Sequence, residues 1–199
     1  FMTHRIRKAM DDLKASPFGG DGGNLESDET FVGDKAKNVH NNKPVPKKHA
    51  VHALVERGGR VPATHVADAT AKTLRSVLEK HADKRSTLHT DDGLTGLSLG
   101  NDFASSTTVN HSASEYYRYK DGAGVQSAES FFAILKRQIF GIHHAVSEAH
   151  LQRYVTEAAF KWNHRIALGV DDTDRAKAAL KSIGGKRLTY GTTRGAQDA

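Results

Sequence analysis

Three acidic residues are spaced for metal chemistry: Asp28 falls inside a strand-like run, Asp91 closes a later one, and Glu129 lies in the first turn of a predicted helix. Carboxylates on rigid elements of these kinds can meet at one edge of a sheet. Together they would form the donor set of a phosphoryl-transfer centre that works with two divalent ions about 3.5–4 Å apart. In a chain with 23 acidic residues such a trio also arises by chance, so position alone does not single it out. Without further context Glu129 reads as an acid favoured by the helix dipole. Lys136, seven residues along the same helical face, reads as a solvated charge.

Composition narrows the chemistry. The chain has no cysteine, so disulfides and thiolate zinc sites are excluded, and any metal must be held by carboxylate, imidazole, carbonyl or water. Magnesium or manganese is the natural expectation for the acids. Lysine and arginine exceed aspartate and glutamate by 29 − 23 = +6, which suits a polyanionic partner. No apolar run approaches the roughly 18 residues of a membrane span, and no export signal opens the chain, so a cytoplasmic protein is expected. The first residues, Phe1 and Met2 onward, already read as helix, which predicts a natural beginning further upstream.

The elements that must position the acids can be read from periodicity. Met2, Ile6, Met10 and Leu13 predict an apolar helical stripe over about 3–14, after which SPFGGDGGN breaks the pattern. Leu25 to Val32 reads as a strand whose period of two sets Asp28 on the opposite face from Glu29. Residues 34–48 read as an exposed basic loop, and HAVHALVE and RVPATHVAD as a hairpin turning at Gly58 and Gly59. A helix over about 70–82 follows, then a strand at STLHT, a short helical or turn segment near GLTGLSLGNDF and a strand at about 106–110. Ser127 is the expected N-cap of a helix to about Ile139 closed by Gly141, and Ser147 that of a helix to about Trp162. A last helix is expected over about 173–183, ahead of a polar tail. This order predicts an α/β fold with a mixed sheet flanked by helices, of RNase H-like type.

Local sequence carries the reading further. The segments ESDETFVGDK, VERGGRV, LHTDDG, VNHSASEY, AESFFAILKRQIFG and HHAVSEAHLQRYVTEAAFKWNHR follow in this order. Together they resemble the ISXO-type insertion-sequence transposase domain over about residues 25–168. The resemblance implies residues 1–24 as the end of an N-terminal helical and linker region, 25–168 as an RNase H-like catalytic domain, and 169–199 as a C-terminal helix and tail. It implies a metal-dependent DNA transposase whose DE and TD segments place the first two catalytic and metal-binding acids at Asp28 and Asp91. Glu29 and Asp92 are then structural neighbours. At the third position QSAES stands where relatives carry NTAES or NTIES, so Gln126 replaces an asparagine and is the alternative to Glu129. Glu129 is preferred because a carboxylate binds magnesium better than an amide.

The same resemblance implies Mg2+ or Mn2+, two ions, DNA as partner, a homo-oligomer on DNA, and a cytoplasmic, nucleoid-associated location. In relatives a cysteine-rich zinc ribbon precedes this domain, and the cysteine-free sequence is expected to lack it. Lys136, Arg137 and Arg165 are the candidate DNA contacts. His143 and His144 are read as structural or DNA-facing, His89 and His111 as ordinary satisfied histidines, and Trp162 as core. The rival functions are a catalytically inactive DNA-binding remnant, to which Gln126 and the altered EYYRYKDGAGVQ segment point, and an RNase H-like nuclease that hydrolyses without joining.

Overall fold

The computed structural model describes residues 2–11, 17–33, 47–91, 99–184 and 186. Strands β1 (Asn24–Val32), β2 (His49–Glu56), β3 (Ala63–Val66), β4 (Thr87–Asp91) and β5 (Ser105–Val109) form one sheet in the order β3-β2-β1-β4-β5. The first three pair antiparallel, while β4 runs parallel to β1 and β5 parallel to β4. Helices α1 (Met2–Ala9), α2 (Ala71–His81), α3 (Gln126–Gln138), α4 (Glu148–Asn163) and α5 (Asp172–Lys181) surround it. A five-strand mixed sheet so flanked is the α/β RNase H-like fold that the order of elements predicts. Among the described residues no helix is long and apolar enough to cross a membrane.

Alternation along the strands sorts the two faces. Val32, Val51, Ala53, Val55 and Ala63 point to the front, where Phe131, Phe132 and Leu135 of α3 and Leu151, Val155 and Ala158 of α4 cover them. Leu25, Leu54 and Leu88 point to the back, against Leu74 and Leu78 of α2 and Phe18 from the glycine-rich segment. That segment therefore does more than break the helix. Phe18 bridges Ala82, and at Gly19, whose φ is +94°, a Cβ would run into the Ser86 side chain.

Several local expectations are corrected. Helix α1 buries Arg7 and Ala9, whereas Met2 and Ile6 of the predicted stripe are 66% and 46% exposed. The reason is an ion pair: Arg7 Nε reaches Glu157 Oε2 at 2.7 Å, and the guanidinium lies 4.0 Å over the Tyr154 ring. This docks the polar side of α1 on α4. In the β2–β3 hairpin only Gly58 has a positive φ, of 69°. At Gly59 a Cβ would meet the Glu56 side chain, which would have to shift to admit it.

Ser127 is not the N-cap of α3. That position is Val125, which offers no capping side chain. Nor does Gly141 close the helix, which passes into a π-helical turn over Ile139–His143 and ends at His144, with φ 59°. Two short strands in the altered segment, β6 (Tyr117–Arg118) and β7 (Ala123–Gly124), pair antiparallel ahead of α3. Residues 34–46 of the basic loop and 92–98 of the segment after β4 lie outside the described residues. Leu99–Asp102 of that segment is a 3-10 turn. Trp162 meets Phe131 edge-on, with ring centroids 5.8 Å apart, as part of the front core.

Candidate functional site

The parallel ladder between β1 and β4 pairs Asn24 with Thr87, Leu25 with Leu88 and Glu26 with His89. Carried two residues onward, that register brings Asp28 level with Asp91, both on the front face. Asp28 is largely buried mid-strand, opposite Ala53 of β2, and Asp91 ends β4 opposite Val109 of β5.

The helix that carries Glu129 is positioned by a residue that the sequence reading did not single out. Glu26, on the same face as Asp28 and only 1% exposed, aims its carboxylate at the start of α3. Its Oε2 accepts from the Ser127 and Ala128 backbone N–H groups at 2.7 and 3.0 Å, and its Oε1 accepts from the Ser127 hydroxyl at 3.2 Å. These are the orphan donors an N-cap side chain would satisfy, so a strand carboxylate caps the helix from outside and sets it over β1. Arg57 completes the joint. Its Nε donates to Glu26 Oε1 at 2.6 Å, and its terminal nitrogens donate to the Gly122 and Gly124 carbonyls at 2.7 and 2.8 Å. One residue past the capped amides comes Glu129, exposed at the first turn of α3.

The electrostatics show that the acids crowd one another. Burial pushes the Asp28 carboxyl up to about 7; the charge of Asp91 adds to this, as do Glu29 and Glu129, against the lowering effect of the Glu29 N–H that Asp28 accepts at 2.7 Å. Glu29, on the back face opposite His52, is also raised by burial and by Asp91. A cluster of carboxylates whose own repulsion disfavours ionisation is relieved by a hard divalent cation, which oxygen donors of this kind hold. Oxygen donors of this type suit such an ion, although among the described residues the three acids do not bring donor atoms within 4.8 Å of one another as a metal-holding group would.

The other candidates fall into two groups. Lys136 and Arg137 are exposed in the last turn of α3, with Lys136 two turns beyond Glu129 on its face. The Gln126 side-chain amide donates to the Tyr116 carbonyl at 2.9 Å. Arg165 lies at the other end of the sheet. It donates to the Gly59 and Trp162 carbonyls at 3.0 and 2.7 Å and stacks 4.4 Å from the Trp162 ring centre, a packing role. His89 is a satisfied core histidine, with Nδ1 2.6 Å from Thr107 Oγ1 and Nε2 2.9 Å from Asn24 Oδ1. His143 packs on Tyr154, and Arg7 lies 3.4 Å from its Nε2. His111 packs at a tilt against Tyr116, but, against the expectation of a satisfied histidine, its buried Nε2 makes no hydrogen bond.

Element order and strand neighbours together define an RNase H-like domain in which β1 and β4, the strands that carry Asp28 and Asp91, lie side by side. Residues 22–163 match the family described as the ISXO2-like transposase domain, and the chain belongs to that family. No curated protein and no solved structure matches the chain.

Proposed function

We propose that this chain cuts DNA and joins the freed 3′ ends to new DNA, with Asp28, Asp91 and Glu129 as the catalytic and metal-binding acids. The observation that carries the reading is that Asp28 and Asp91 stand on neighbouring parallel strands, with the charge of Asp91 felt at Asp28, beneath a helix whose start is fixed by Glu26. Membership of a transposase family supports the substrate class. Two Mg2+ or Mn2+ ions bound by the acids would supply an activated water or 3′ hydroxyl and offset charge on the leaving oxygen. The chain's own part is positioning. The sheet holds Asp28 and Asp91 rigidly, the Glu26 cap holds Glu129 beside them, and Lys136 and Arg137 give phosphates a basic approach along α3. Joining two transposon ends calls for a homo-oligomer assembled on DNA, working in the bacterial cytoplasm at the nucleoid.

The test is cleavage and strand transfer on labelled transposon-end DNA with Mn2+. Asp28→Asn, Asp91→Asn and Glu129→Gln should each lower the rate by more than about 1000-fold, and Gln126→Ala should not. Loss with Gln126→Ala and survival with Glu129→Gln would reassign the third position. Cleavage without joining would make the chain a nuclease, and no cleavage in a DNA-binding parent would make it an inactive remnant.

A further inference from the structure

The front face of the sheet carries a second group of metal-ligating side chains, built from different donors. Val32 pairs directly with His49 in the β1–β2 ladder, four residues beyond Asp28 along the strand, so this group lies about 13 Å from the acids. His65 of β3 pairs with Val51 and is therefore the diagonal neighbour of His49 on the same face. The two imidazole rings stand nearly perpendicular at 82°, with centroids 5.8 Å apart. Helix α4 begins directly over them, and Glu148, its first residue, brings a carboxylate oxygen to 3.3 Å from His49 Nδ1. One donor atom from each of His49, His65 and Glu148 lies within 4.8 Å of the others.

We propose that His49, His65 and Glu148 form a zinc-type transition-metal site, separate from the acidic cluster, that clasps the start of α4 to the outer half of the sheet.

Two imidazoles and one carboxylate are a donor set suited to Zn2+ and poorly suited to Mg2+, which prefers oxygen throughout. Tetrahedral zinc with bonds of about 2.0–2.1 Å needs its donors roughly 3.3 Å apart, so side-chain rotations close the present spacing. The His49 Nδ1 atom is buried and makes no hydrogen bond, its approach to Glu148 being outside hydrogen-bond geometry. A buried polar atom without a partner is costly, and a metal would supply the partner. Lys47, 3.5 Å from the Glu148 carboxylate, is exposed and can swing away when a cation replaces it. Three protein ligands leave a fourth position. It faces an open cleft of about 330 Å³ lined by His144, Phe140 and Ser147, where water completes the tetrahedron.

The experiment is Zn2+ titration of the full chain, read by thermal melting and by competition with a chelating dye, with Co2+ as a visible-absorption probe of tetrahedral nitrogen ligation. Zn2+ should stabilise the parent and the Asp28→Asn/Asp91→Asn double variant alike. His49→Ala and His65→Ala should each lose more affinity than the roughly 10–100-fold that removal of an outer-shell partner costs. Should either histidine variant fail to fold in chelator, Glu148→Gln, at an exposed helix start, serves instead and should weaken Zn2+ and abolish the tetrahedral Co2+ spectrum. Unchanged Zn2+ affinity in folded histidine or Glu148 variants would overturn the proposal. So would loss of Zn2+ binding in the acidic double variant.

Discussion

Replacing Asp28 with asparagine should stabilise the metal-free protein. The Asp28 carboxyl is pushed from 3.8 to about 7 in the folded chain. The folded state therefore keeps a proton that the unfolded state has released between about pH 4 and pH 7. Stability falls with rising pH across that window and the loss is complete above it. A shift of about three units at ~1.4 kcal/mol each gives an upper figure of ~4 kcal/mol. Because one side of the carboxylate still meets solvent, screening reduces the expected gain at pH 8 to ~2 kcal/mol. For a domain of this size that is a rise in Tm of about 4–8 °C.

At pH 5 only about a third of the titration range has been crossed, and the gain shrinks in proportion. The assay is melting of parent and Asp28→Asn in chelator at both pH values, then with saturating Mn2+ at pH 8. Manganese should stabilise the parent and narrow or reverse the difference, since the variant has lost a ligand. A variant that melts at or below the parent temperature in chelator at pH 8 would refute the crowding of charge on which the site is argued.

Other consequences are independent of that measurement. Glu26→Gln keeps the shape of the cap but leaves Arg57 without its carboxylate, and should cost about 3 kcal/mol in urea unfolding while lowering cleavage through misplacement of Glu129. Burial lowers His52 and His89 to about 4, so the stability each contributes is present above about pH 6.5 and is lost as pH falls toward 4. His89→Gln, which can keep both hydrogen bonds, should flatten that acid limb in a pH series of melting temperatures. Removing the Lys136 and Arg137 charges together should reduce the slope of log binding constant against log salt for duplex DNA by about 2, without changing sequence preference. An unchanged slope would take α3 out of the DNA contact.

Much of the fold was legible because its signals are local. Alternation over Leu25 to Val32 and HAVHALVE yields β1 and β2 almost residue for residue, and the stripe of Leu151, Val155 and Ala158 yields α4. Thr70 and Asp171, by contrast, cap α2 and α5 through their own side chains, as residue type alone would suggest. Some of the misreadings arose because a long-range partner decided the outcome. The face α1 buries was chosen by Glu157, 150 residues away, over the apolar stripe. The pairing of β6 with β7 spans two residues in each strand and leaves no periodicity to find.

The same distinction separates the legible from the illegible in the site. Asp28 and Asp91 could be picked out because each ends or interrupts a strand and stands in a recognisable segment, and their proximity then follows from a parallel register. Glu129 needed more, since the first turn of a helix says nothing about which strand it sits over. What decides that is Glu26, which reads in sequence as one more acid in ESDE. The usable clue was its place two residues before Asp28, on the same face, in a strand otherwise filled on that side by buried groups. A carboxylate there must find donors or lose much of its hydration energy, and the nearest unsatisfied donors in any α/β domain are the N-terminal amides of the helix packed above it. Glu26 thus ties the helix to the strand that carries Asp28, and Glu129 follows the capped Ala128 amide by one residue. Moving either acid by one residue would flip or rotate it away from the other.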